Sequence, residues 1–303
     1  MDSVTQAVLG AAIGVAVMGR RIAPWKAAAW GAACGTAPDL DVFIDRGDPI
    51  RVMTLHRTET HSLFFLTLAS PAIAWLATRV HRGQGGFRRW WLAIWLALVT
   101  HPLLDVMTIY GTQLLLPFTD HPFGIGSIFV IDPFYTLPLL VGLLVALVRG
   151  SPGLPWLRAG LLVSTAYLAA GVAIQAHVRG LAEESLARAD IEARQVLVTP
   201  TPFNIVLWRV LAMTEDGYVE GFHSLLDASN QIAFTRHPSD MALFRRHADN
   251  WSIARVAWFS HGFFSIADHE EGAVITDLRM GQEPFYTFTF LVPWAALETP
   301  RGD

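Results

Sequence analysis

A single cysteine, Cys34, stands in 303 residues, which leaves no partner for an intrachain disulfide and no thiolate cluster for a zinc site. Charge is also scarce: 16% of the chain is charged against 52% hydrophobic, a balance that points towards the membrane class. The formal charge of -4 is small and no basic run carries interleaved aromatics, so nothing argues for a nucleic-acid partner. No Gly-x-Ser-x-Gly elbow, phosphate-binding glycine loop or dinucleotide fingerprint is present, and covalent or cofactor chemistry finds no foothold. Internal repeats and low-complexity segments are missing too. Met1-Asp2-Ser3 carries no basic region ahead of its apolar stretch, so a retained helix is expected there rather than a signal peptide.

What the chain does have is apolar length, concentrated before about residue 178. A hydrocarbon core of roughly 30 Å needs about 20 apolar residues in a helix. On that measure the expected fold is a mainly α polytopic membrane helix bundle over residues 1–178, with an extramembrane, mainly antiparallel α+β domain over 179–303. Four spans and two short helices are expected: short helices over 4–18 and 25–36, and spans over 63–80, 90–105, 133–148 and 157–177. Gly10, Gly14 and Gly19 are spaced for close helix contact. Trp90 and Trp91 suggest an aromatic belt, Thr58 or Thr60 a helix cap, and Asp132-Pro133 a cap followed by a first-turn proline.

Beyond residue 178 a charged helix over 179–194 is expected to continue the last span as a stalk. Strand-length runs follow at 195–198, 205–213, 218–224, 252–257, 263–267, 273–278 and 285–292, with a short helix over 240–248. Glu215-Asp216-Gly217 reads as a hairpin turn.

Three polar motifs interrupt the apolar half at the ends of its helices: Pro38-Asp39-Leu40-Asp41, His56-Arg57-Thr58-Glu59-Thr60-His61-Ser62, and His101-Pro102-Leu103-Leu104-Asp105. Asp39 and Asp41 follow a helix C-terminus, where the dipole favours cations, so two acids there call for a positive partner. His101 and Asp105 are four residues apart and share one helical face. Ionisable groups inside an apolar helix are costly and are usually paired or functional. Each motif has an ordinary reading as well: a turn, interfacial histidines, a hydrogen-bonded helix end. Together they offer Asp39, Asp41, His56, His61, His101 and Asp105 as ligands for one or two ions. A nitrogen and oxygen set without cysteine suits zinc first, with manganese or iron as alternatives. An ion of that kind lowers the pKa of a bound water to roughly 7, which favours hydrolysis. Glu59 or Asp132 is the expected proton carrier and Arg57 the group that holds an anionic oxygen.

These motifs, in this order, with Met1-Asp2-Ser3-Val4-Thr5-Gln6-Ala7 before them and Tyr110-Gly111-Thr112-Gln113 after, resemble the bacterial inner-membrane metal-dependent hydrolases of the YdjM type over residues 1–178. The resemblance implies a multi-pass protein of the bacterial cytoplasmic membrane with metal-dependent hydrolase activity, on a substrate the family leaves undefined. A fainter likeness of the paired histidines and the His-x-x-x-Asp pair to zinc-dependent phospholipases C suggests an ester or phosphoester of a membrane lipid or lipid-linked substrate.

The loops at 19–26, 79–89 and 149–158 hold most of the arginines of the apolar half. By the positive-inside rule they are cytoplasmic, which places the three motifs and the C-terminal domain on the outer face. The competing expectation is a membrane protein that binds a divalent cation in order to sense or transport it, or to engage an unknown protein partner, without hydrolase activity.

Overall fold

Asp2 opens the first helix by accepting the backbone N–H groups of Val4 and Thr5, and α1 (Ser3–Met18) follows. The structure is a computed structural model that describes residues 1–298. Its chain forms two units. One comprises Met1–Asp45, His56–Ala173 and Pro202–Ile205, and the other Arg46–Leu55, Ile174–Thr201 and the chain from Val206 onward.

In the first unit, α2 (Pro24–Thr36) starts on a proline, whose missing N–H costs nothing in a first turn. It packs on α1 at backbone distance, because a Cβ at Gly10 would meet the carbonyl of Gly31 and a Cβ at Gly31 the carbonyl of Gly10. Pro38 does not end the helical path. The chain tightens into a 3-10 turn, Ala37–Phe43, which carries both aspartates of the first motif. A second 3-10 turn, Glu59–His61, leads into α4 (Leu63–Val80), whose cap is Ser62 and not either of the expected threonines. The helices α5 (Phe87–Val106) and α6 (Pro133–Arg149) complete the set with the first part of α7 (Leu154–Arg188). Ala12, Val15, Trp90, Ile94, Leu139 and Leu157 fill the interior. Trp90 is therefore a core residue, stacked on His81 at 5.1 Å, and only Trp91 of the expected belt pair is exposed.

The expected polytopic bundle is overturned. Among the described residues two stretches are long and apolar enough to cross a membrane: Leu63–Val80, 18 residues with mean hydropathy 1.5, and Ser151–Arg188, 38 residues with 1.6. The helices α1 and α6 stop at 16 and 17 residues, short of the roughly 20 a crossing needs. Although α5 has 20 residues, they include Arg88, Arg89, His101 and Asp105, which lower its hydropathy. The fold class is α+β, with ten α-helices and two antiparallel sheets among the described residues.

The second unit takes the rest of α7, which runs unbroken to Arg188, and α3 (Pro49–Leu55), which packs on a later helix of the same unit. Four strands form one sheet in the order β1 (Gln195–Pro200), β2 (Leu207–Met213), β3 (Gly217–Ser224) and β4 (Phe234–Pro238). After α8 (Met241–His247) and α9 (Trp251–Phe259) come β5 (Phe264–His269), β6 (Gly272–Gln282) and β7 (Phe285–Pro293) as a second sheet, then α10 (Trp294–Glu298). Residues 252–257 are helical and not the expected strand. Asn250 caps them through Ser252 and Ile253 N–H, and Ile253, Val256 and Phe259 are buried at helical spacing. Buried Arg209 on β2 donates to Glu220 at 2.5 Å, to the Leu278 carbonyl at 2.7 Å and to the Tyr286 hydroxyl at 3.1 Å, tying the two sheets together.

The α1–α2 contact yields a direct test. Gly31→Val must drive the helices apart, and overpacking of that kind costs about 1–3 kcal/mol. A lowered thermal midpoint of the detergent-purified protein checks this, with Gly47→Ala, at a glycine whose added Cβ meets nothing within 4 Å, compared to separate packing from backbone strain.

Candidate metal centre

Three segments of the first unit bring four side chains to one point. The 3-10 turn after α2 supplies Asp39, the turn before α4 supplies His61, and one face of α5 supplies His101 and Asp105. One ligand atom from each lies within 4.8 Å of all the others. The two Nε2 atoms are 3.0 Å apart. Asp39 Oδ1 is 3.3 Å from His61 Nε2 and 3.4 Å from His101 Nε2, while Asp105 Oδ2 is 3.4 and 3.2 Å from the same atoms. A tetrahedral ion with bonds of about 2.0–2.1 Å has ligand–ligand edges of roughly 3.3–3.4 Å. Five of the six edges are therefore already near the length a bound divalent ion requires. His61, His101 and Asp105 have no side-chain exposure, and Asp39 alone of the four, at 18%, is partly exposed.

The surroundings fix how each ligand is presented. His101 Nδ1 is 2.6 Å from the Gly35 carbonyl, which only accepts, so that nitrogen carries a proton and Nε2 is the one turned to the centre. The hydroxyl of Thr60 donates to Asp41 Oδ2 at 3.0 Å and lies 2.9 Å from His61 Nδ1, which orients His61 in the same sense. Asp105 splits its duties. Oδ1 meets the Met1 amino group, Gln6 Nε2 at 3.2 Å and Arg57 Nη2 at 3.2 Å, whereas buried Oδ2 has no hydrogen-bond donor. An orphaned carboxylate oxygen beside two imidazole nitrogens is the arrangement a cation completes. The donor set thus fits zinc, and also manganese or iron.

The other residues singled out in the sequence are placed differently. Asp41 is buried outside the four, accepting from the Arg57 backbone N–H at 3.0 Å and paired with His56 Nδ1 at 2.8 Å. It serves Thr60, and through it His61. Glu59 is exposed, with its Oε2 accepting from the Thr58 hydroxyl at 2.6 Å. Asp132 is buried at the N-terminus of α6, where it accepts from Phe134 N–H and, at 2.9 Å, from the Tyr167 hydroxyl. Arg57 is buried with its guanidinium over the Tyr110 ring, 4.8 Å from the centroid.

Burial pushes the Asp39 carboxyl upward, but the His101 and His61 imidazoles beside it outweigh this and hold the group below the usual carboxylate range. Asp41 is also held low, burial being outdone by the hydrogen bond and charge of His56 and by the Arg57 backbone N–H. Asp132 moves the other way. Burial raises it, and Tyr167 and the capping N–H groups only partly compensate.

Two contributors escaped the sequence reading. Gln6 and Thr60 belong to recognised motifs, yet no spacing rule gives either a role at the centre; only the meeting of α1 with α5, and of one 3-10 turn with the other, shows it. Thr60→Val should leave the fold intact and loosen His61, with a loss of about 10–100-fold in zinc affinity. His61→Ala should abolish stoichiometric binding. Competition with a chelating dye checks both.

The family model described as YdjM inner membrane protein matches residues 1–178. The chain is also similar to the uncharacterized protein YfhP of Bacillus subtilis (strain 168), at 27% identity over 310 residues that cover 96% of this chain and 90% of that protein. No solved structure matches.

Proposed function

The chain belongs to the YdjM inner membrane protein family, and on that premise we propose that it is a membrane-bound, metal-dependent hydrolase whose centre is Asp39, His61, His101 and Asp105. The observation that carries the reading is the convergence of two Nε2 atoms and two carboxylate oxygens at tetrahedral edge lengths, with one oxygen left without a donor. A divalent ion bound there supplies an acidified water and stabilises charge on an attacked oxygen. The chain's own groups do the rest. Asp41, Thr60 and the Gly35 carbonyl hold the imidazoles in position. Glu59, exposed and two residues from His61 in the chain, takes the role of proton carrier. Asp132 is committed to its helix cap and Tyr167 and has a supporting role. The substrate is a lipid or lipid-linked ester or phosphoester, approaching from the part-exposed Asp39 side.

The topology in this reading uses the two apolar stretches. Only 22% of each hydrophobic window is buried inside the protein, leaving apolar surface for lipid. Arg79 and Arg82 flank the end of one and Arg149 and Arg158 the start of the other, so these ends are cytoplasmic. The metal centre, at the opposite end of α4, then faces outward.

One observation favours a second reading. Four protein ligands complete a zinc tetrahedron, as structural sites do, whereas catalytic zinc keeps a position open. A protein that senses or transports the cation, or uses it to hold the fold, is the alternative.

Metal content and turnover separate the two. Mass spectrometry of detergent-purified protein should show near-stoichiometric metal that is lost in His101→Ala and diminished in His56→Ala. Metal-loaded wild type should cleave members of a panel of long-chain phospholipids and carboxylic esters in mixed micelles, with chelator abolishing turnover and Glu59→Gln slowing it by about 10²–10⁴-fold. Metal without any turnover would leave the sensing reading; no metal at all would remove both. Reporter fusions at residue 85 should register as cytoplasmic, and an external signal there would reverse the orientation.

A further inference from the structure

The buried side-chain atoms without a hydrogen-bond partner among the described residues are Gln6 Oε1, Arg57 Nε, Arg57 Nη1, Asp105 Oδ2 and Thr112 Oγ1. Three of the residues, far apart in the sequence, meet at Asp105, and Thr112 adjoins them along the chain. Gln6 and Arg57 both bond to Asp105 Oδ1, and the backbone N–H of Gln113, next to Thr112, donates to the Arg57 carbonyl at 2.9 Å. Native interiors pair nearly all buried polar groups, so such a concentration signals a missing partner. A cation answers only Asp105 Oδ2 and Gln6 Oε1. The two guanidinium nitrogens of Arg57 are donors, and a metal ion does nothing for them.

Charge points the same way. Asp39 and Asp105 together neutralise one divalent ion, and Asp41 is already paired with His56. Arg57, 5% exposed, is then a buried cation whose carboxylate partner, Asp105, is shared with the ion and with the Met1 amino group. Burial of that kind is sustained by an anion. The backbone is also committed to holding this side chain in place. Arg57 has φ 64°, in the left-handed region, and is pinned there by its N–H to Asp41 and its carbonyl to Gln113. Tyr110 supports the guanidinium face, leaving its edge for a ligand.

Resting on the metal reading above, we propose that Arg57, assisted by the Thr112 hydroxyl, forms an oxyanion site one carboxylate's width from the ion, and that the substrates are therefore phosphate esters rather than neutral carboxylic esters. A phosphate group has enough oxygens to reach the ion and Arg57 together. A neutral ester offers Arg57 a carbonyl oxygen but no charge to balance its own. Thr112 and Tyr110 thereby gain a function that the metal centre alone does not give them.

The test is titration calorimetry of inorganic phosphate, with sodium acetate as the control anion, into the full chain in detergent after zinc loading and removal of excess metal. Zinc content is measured on the same samples. Phosphate should bind wild type more tightly than acetate. Arg57→Gln should weaken it by about tenfold or more with zinc retained, Arg57→Lys less, and Thr112→Val, which keeps the volume and leaves Asp105 untouched, by a few-fold. Zinc-loaded wild type that ignores phosphate, binds acetate equally well, or loses nothing in both Arg57→Gln and Thr112→Val would overturn the proposal. Should wild type hold no zinc, the metal reading fails on its own evidence. Phosphate binding that still depends on Arg57 would then uphold the anion site, and its absence would remove that too.

Discussion

Asp105 is a carboxylate with no solvent exposure on a helix built mainly from Trp, Leu, Ala and Val, and its charge has to be balanced where it stands. Removing an ion from water costs several kcal/mol even after relaxation, so the surrounding chain is arranged to answer it. One oxygen faces His61 and His101, the other Gln6 and Arg57. The N-terminal segment, the turn before α4 and α5 are all drawn to this one group. The geometry of the centre follows from that demand, because whatever reaches Asp105 also reaches the point where the two imidazoles converge.

The two aspartates of Pro-Asp-x-Asp illustrate how little spacing says about role. Asp39 turns to the imidazole nitrogens and is the part-exposed member of the four, whereas Asp41, two residues on, faces the His56-Arg57 segment and accepts from a backbone N–H, a threonine and a histidine. A 3-10 turn makes this division. With three residues per turn, positions two apart project in different directions. One aspartate meets the centre and the other secures the residues that hold it.

The second unit manages buried charge differently. Arg209 and Glu220 are paired at 2.5 Å, with a carbonyl and a tyrosine hydroxyl meeting the other guanidinium nitrogens, and Asp277 holds Arg279 at 2.6 Å. Among the described residues, the buried side-chain atoms left unpaired all belong to the first unit. Full satisfaction marks a network that fixes the register of two sheets. Incomplete satisfaction around Asp105 and Arg57 marks a place prepared for something the chain does not itself supply.

The three polar motifs, the helix boundary at Asp132, and the hairpin between β2 and β3 could be read from the sequence, because caps, turns and ionisable residues in apolar runs are local signals. So could the pairing of His101 with Asp105, which helical periodicity imposes. Span number could not. Length and composition run together at 16, 17 and 18 residues, and α5 carries its polar groups within an otherwise apolar run. Residues 252–257 went astray because a short apolar run has no period of its own until Asn250 caps it and its neighbours bury one side. Which of the proposed ligands meet, that Asp41 and His56 stand behind them, and that Gln6 and Thr60 take part were decided only by tertiary structure. Those relations join residues dozens of positions apart, and no local preference encodes the distance between them.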